Sequence, residues 1–237
     1  MSSFNKKIGY EKKDINIYII LLSAPVLLSV YWYYCQADFF ANAFTEWAKD
    51  PMFDFWAHIL QFVCFFVLMF IIPAVFVKTN LKGKLRDFGF GLGDKKIGFI
   101  IAAIFVPLLA GSLYFLTNDP KIIAEYPLAK ILHEKPDLVL WYELSYVIFY
   151  YIAWEFYFRG FLIFGLEKRF GGFNAILIQT ISSCLIHIGK PDGETIGSIV
   201  FGVALGVLAL RTRSIWYGFL IHITLGIMTD LYVLYVH

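Results

Sequence analysis

Charge is scarce in this chain. Asp, Glu, Lys and Arg make up 16% of its 237 residues, against roughly a quarter in an ordinary globular protein, while 59% are hydrophobic. So few charged side chains cannot cover a water-facing surface, which excludes a soluble domain and points to an integral membrane protein. An excess of one sign is missing as well: the formal net charge is +2, and the basic residues lie between apolar stretches, so no nucleic-acid-binding face is expected. Cysteine is nearly absent. Cys35, Cys64 and Cys184 stand in apolar surroundings without CxxC or Cys/His spacing, so they read as small core residues and not as zinc ligands. No Ser/Gly/Pro-rich linker, charge block, low-complexity tract or internal repeat divides the chain, and residues 1–237 are expected to form a single integral membrane domain.

What the chain does contain is long apolar runs. A helix needs about 20 apolar residues to cross the hydrocarbon core, and seven segments approach that length: roughly 17–35, 53–77, 97–117, 139–166, 173–189, 196–210 and 214–234. With room for one more helix between 36 and 51, the expected fold class is all-α, a polytopic transmembrane bundle of about 7–8 helices. The first run follows Lys6, Lys7, Lys12 and Lys13, ends in Tyr31-Trp32-Tyr33-Tyr34, and lacks a small-x-small cleavage site, so it reads as a retained helix and not a signal peptide. Lys and Arg crowd alternate connections: the N-terminal arm, the loop 78–96 (Lys78, Lys82, Lys84, Arg86, Lys95, Lys96), Lys168 with Arg169, and Arg211 with Arg213. By the positive-inside rule these face the cytoplasm, with the N-terminus. In the sixth segment Ser198, Gly202 and Gly206 recur every fourth residue, a face on which helix backbones approach closely.

Ionisable side chains inside such segments cost a few kcal/mol each on insertion scales, so each needs a reason. In WEFYFRG, Glu155 and Arg159 are four residues apart, on one helix face, where they neutralise each other. His187 closes the fifth segment and His222 lies in the seventh. At 1.5 Å of rise per residue from the basic ends, Glu155 and His187 fall at about 20 Å and His222 at about 12 Å. Three helices are thus expected to bring a carboxylate and two imidazoles to one cavity. No GxSxG turn marks a serine nucleophile, and Cys184 sits in an apolar run. Glutamate with histidine activates water, and imidazole N–H groups stabilise an oxyanion. Zinc at Glu155, His187 and His222 is a weaker alternative, since HExxH is absent.

WEFYFRGFLIFGL, followed by HIGKPDGETIGSIVFGVALGVLALRTRSIWYGFLIH, resembles the CPBP family of intramembrane glutamic endopeptidases (CAAX protease and bacteriocin-processing, also called Abi), with a core at about 143–230. The loop LKGKLRDFGFGLGDKKIG, 81–98, resembles the one that precedes that core. The family's first motif is a pair of glutamates, three residues, and arginine followed by glycine. Glu155, Arg159 and Gly160 match it, and Trp154 replaces the first glutamate, a Trp-Glu variant of the motif. The second motif is phenylalanine, three residues, then histidine; His187 matches with Ser183 in the phenylalanine position. The third is histidine, three residues, then Asn or Asp; His222 matches with Gly226 as its partner position, and Asp230 lies two turns beyond His222.

The resemblance implies an intramembrane peptidase without a metal or other cofactor. Glu155, His187 and His222 would be catalytic, and Arg159, Trp154, Gly226 and Asp230 would support them. In family members the first glutamate and first histidine activate water, while the second histidine and the asparagine face the oxyanion. Residues 154 and 155 project about 100° apart on a helix, so Glu155 does not simply replace the missing carboxylate. Expected partners are the lipid bilayer and a peptide or membrane-protein substrate, lipidated or not; a bacterial plasma membrane is the expected location. The alternative is a non-catalytic relative in which Trp154 fills the site with apolar surface and the cavity binds a peptide, lipid or membrane partner.

Overall fold

The computed structural model describes residues 8–237, so Lys6 and Lys7 of the basic arm lie outside the described residues. Seven long helices succeed one another: α1 (Lys12–Tyr34), α2 (Phe53–Thr79), α3 (Lys95–Leu116), α4 (Pro136–Phe170), α5 (Gly172–Leu185), α6 (Asp192–Thr212) and α7 (Trp216–Tyr235). Among the described residues, six are long and apolar enough to cross a membrane, fewer than the seven or eight expected. The difference lies in α5 and in residues 36–51. Helix α5 has 14 residues, about 21 Å against a hydrocarbon core of about 30 Å. It stops because the chain turns through Gly189, at φ +99°, and Pro191. Hydropathy carries on to Ile188 and does not register that turn. Residues 36–51 form only the seven-residue helix Ala37–Ala43 and the turn Trp47–Lys49.

Helix α4 is the centre of the bundle, with every residue from 153 to 164 buried, as expected of a helix apolar on all sides. Two widened π turns, Tyr146–Tyr151 and Phe156–Leu162, bracket its segment Ile152–Glu155. Such insertions rotate the side chains that follow and are frequent at functional sites. Aromatic rings fill the α2–α4 interface: Phe65 stacks on Tyr150 at 4.2 Å and Phe62 on Tyr146 at 4.4 Å between centroids. Helix α1 is part of the bundle, with Ile20 fully buried and Ser23 Oγ 2.8 Å from the Tyr157 hydroxyl. On α6, Gly202 and Gly206 face α5 as the four-residue spacing implies. An added Cβ at either would come within 2.9 Å of Thr180 or Ile176.

The alternate connections that carry the basic residues meet at one end of the bundle. Arg169 pairs with Asp14 at 3.0 Å, Arg213 with Glu167 at 2.8 Å and Arg211 with Asp94 at 3.1 Å. The loop before α3 tucks beneath α7, with the Ile215 N–H donating to the Gly89 carbonyl at 2.9 Å. It also lies so close to α4 that a Cβ on Gly160 would come within 2.7 Å of the Phe88 carbonyl oxygen. At the opposite end Lys121 pairs with Asp192 at 2.8 Å and Lys190 with Glu125 at 3.0 Å.

Candidate active site

Helix α5 ends short, and a cavity of about 310 Å³ lies where it gives way to α6, walled also by α3, α4 and α7. Apolar side chains make most of the wall, among them Leu113, Phe201 and Leu225, and Asp119, Tyr126 and Pro191 place it towards the end away from the basic loops. Its polar wall contains His187, His222, Arg159, Tyr151 and Glu194, together with the ring of Trp154. Both histidines singled out from the sequence thus line this one cavity.

Glu155 joins them from behind. Its side chain is fully buried and forms no part of the cavity wall. Oε1 accepts a hydrogen bond from His222 Nδ1 at 2.8 Å and lies 3.5 Å from Arg159 Nη1. Oε2 faces Gly218 of α7, where a Cβ would come within 3.1 Å. The hundred-degree step between neighbouring helical residues gives the cavity face to Trp154 and the α7 face to Glu155. The indole lies edge-on to both imidazoles, 5.2 Å from His187 and 5.7 Å from His222 between centroids. Phe65 and Phe158 pack against it, at 5.8 and 4.7 Å. Trp154 Nε1 and two Arg159 nitrogens, Nε and Nη1, are buried without a hydrogen-bond partner. These are unused donors on residues that line the cavity.

The tautomers follow from the partners. His187 Nδ1 is 2.6 Å from the carbonyl oxygen of Ser183, one turn earlier. A carbonyl only accepts, so Nδ1 carries the hydrogen and neutral His187 keeps a bare Nε2. The same logic at His222, with a carboxylate on Nδ1, leaves its Nε2 bare as well. Both rings are thus held by their rear nitrogens, with their basic nitrogens left over for the cavity. Ser183, in the motif's phenylalanine position, also lines the wall, and its hydroxyl bonds back to Thr180.

Gly226 lines the cavity too, and the Tyr151 hydroxyl occupies the space that a side chain there would need. Tyr151 also packs edge-on against His222, centroids 4.9 Å apart. Asp230 is fully buried but outside the wall; both its oxygens, like those of Glu143, have no hydrogen-bond partner. The geometry therefore brings Trp154, Arg159, His187, His222 and Gly226 to one cavity, sets Glu155 behind His222, and leaves Asp230 apart.

Tyr151 and Glu194 are among the polar wall residues that escaped sequence reasoning. Tyr151 was one of many aromatic residues in an apolar run, and its hydroxyl matters only because a π turn aims it at Gly226. Glu194 sat in the connection KPDGET, where a carboxylate looks solvated. In the structure it lies in the first turn of α6, and its Oε2 accepts from the Tyr126 hydroxyl at 2.8 Å. The signal available was its position seven residues after His187, close enough for a short turn to fold it back. Among the described residues, no group of three or more His, Cys, Asp or Glu side chains is arranged to hold a metal ion.

No curated protein and no solved structure matches the chain. Residues 136–228 match the family described as Type II CAAX prenyl endopeptidase Rce1-like. The chain is therefore homologous, over the stretch that carries α4, α5, α6 and most of α7 and with them both cavity histidines, to the CAAX-protease family fold.

Proposed function

We propose that this protein is an intramembrane endopeptidase that hydrolyses a peptide bond with water activated in the α4–α7 cavity, without a metal ion. One observation carries the reading. Two imidazoles, each anchored through Nδ1, line a single cavity with their basic nitrogens free. Such pre-oriented groups supply general acid–base catalysis, worth about 10²- to 10⁴-fold. His187 takes part in activating the water. Glu155, the base expected from the motif, acts through His222: its carboxylate holds the imidazole by Nδ1, so that the bare Nε2 takes up a proton and passes it to the departing amine. Arg159 offsets the charge of Glu155 and, with Tyr151, offers donors where negative charge develops on the carbonyl oxygen. The apolar remainder of the wall suits a membrane-protein segment or a peptide with a lipid group. The clustering of basic connections at one end supports a cytoplasmic N-terminus in a bacterial plasma membrane, with the cavity opening on the other side.

The test is cleavage of apolar peptides by the purified chain in liposomes, read by mass spectrometry, beside His187→Ala and His222→Ala. Cleavage lost in both variants supports the reading; an inert wild type overturns it. One observation favours a second reading, a binding protein without catalysis. The Trp154 indole stands between the two imidazoles with an unused donor. On that reading the same peptides bind uncut, and Trp154→Ala releases them.

A further inference from the structure

Trp154 presents an indole to the cavity wall, and Glu155 presents no carboxylate there, since its oxygens face His222, Arg159 and Gly218. One carboxylate nevertheless stands beside His187. Glu194, in the first turn of α6, lines the cavity with its Oε1 3.9 Å from His187 Nε2. Its side chain is held from two sides, by the Tyr126 hydroxyl on Oε2 at 2.8 Å and by Lys190 Nζ, 3.9 Å from Oε1. Lys190 is itself anchored on Glu125 at 3.0 Å. The separation matters. At 3.9 Å the carboxylate and the bare imidazole nitrogen are too far apart to bond directly and close enough for one water molecule to bond to both.

We infer that Glu194 is a catalytic residue of the hydrolysis proposed above, holding the attacking water jointly with His187. The inference rests on the peptidase reading. In the step, the water oxygen forms a bond to the carbonyl carbon as one of its protons passes to Glu194 or His187. The C–N bond then breaks, and that proton leaves on the amine, so that a carboxylic acid and an amine are produced. Because the carboxylate comes from α6 and not α4, water activation depends on the turn 186–191 that folds Glu194 back over His187.

Two measurements on the full chain in lipid nanodiscs test this. The first needs no substrate: ¹⁵N-histidine NMR, with the His187 signals assigned by their loss in His187→Gln. Burial holds the His187 pKa down at about 4, so the readout is its Nε2 resonance at pH 7, which Glu194→Gln is expected to shift by removing the carboxylate that orders the water on that nitrogen. Lys190, His222 and Arg159, the other charged groups near His187, are unchanged in that variant. Asp192→Asn, which removes a carboxylate paired with Lys121 outside the cavity wall, is expected to leave His187 unmoved. A His187 Nε2 resonance indifferent to Glu194 overturns the inference. The second is cleavage of quenched-fluorescence apolar peptides. Glu194→Gln is expected to lower kcat by about 10²-fold with KM within about twofold, and Glu194→Asp to recover part of the loss. An unchanged kcat overturns the catalytic role. An inert wild type whose His187 Nε2 resonance still follows Glu194 overturns the peptidase reading and leaves the pair standing as a water or ligand clasp.

Discussion

The Tyr151 hydroxyl occupies the space that a side chain at Gly226 would need. Two residues from different helices, α4 and α7, thus share one position beside His222, and the missing side chain at 226 is what admits the phenol.

An asparagine introduced at 226 should therefore harm the protein. Gly226→Asn forces Tyr151 out of its place, and overpacking of this kind costs about 1–3 kcal/mol. A lower thermal unfolding midpoint and a loss of cleavage are expected. Tyr151→Phe, which keeps the packing and deletes the donor, should leave the midpoint nearly unchanged and still reduce kcat.

Glu155 couples stability to activity. Glu155→Gln leaves Arg159 charged in a buried site without its counter-ion, and breaking a buried pair in this way costs about 3–5 kcal/mol. Combining it with Arg159→Gln should recover much of the stability without recovering activity, because a neutral amide holds the His222 Nδ1 hydrogen less strongly than a carboxylate does. Denaturant unfolding and peptide cleavage measured across the full double-mutant cycle separate the two effects. Recovery of activity along with stability would mean that Glu155 serves packing alone.

The α5–α6 seam limits side-chain size. A Cβ on Gly202 would meet Thr180 and one on Gly206 would meet Ile176, each within 2.9 Å. Gly202→Val is expected to push α6 away from α5, break the bond from Gln179 Nε2 to the Gly202 carbonyl, and lower the unfolding midpoint more than Gly197→Val, where an added Cβ meets nothing within 4 Å.

Single cysteines report the orientation. In sealed bacterial spheroplasts an impermeant maleimide should label Lys121→Cys, near the cavity mouth, and leave Lys84→Cys, on the basic end, unlabelled until the membrane is permeabilised. The reverse pattern would place the cavity opening on the cytoplasmic side.

Composition and hydropathy alone pointed to a helical bundle suited to a membrane, because a chain with 16% charged residues has little with which to face water, and the fold has six helices long and apolar enough to cross one among the described residues. They located the long helices to within a few residues, and the cost of burying charge was enough to single out Arg159, His187 and His222 within their apolar runs. Spacing also showed why Glu155 and Trp154 face different ways. The sequence could not show where α5 stops, since Gly189 and Pro191 turn the chain inside an unbroken apolar run. Nor could it show that Glu155 lies behind His222, that Tyr151 fills the place opposite Gly226, or that Glu194 folds back to His187. Each of these joins residues on different helices, and hydrophobic periodicity fixes which face of a helix is apolar without fixing its rotation against its neighbours. That rotation was decided by the π turns of α4 and the glycine contacts of α6 and α7, where backbones and rings interlock at distances only the folded bundle defines.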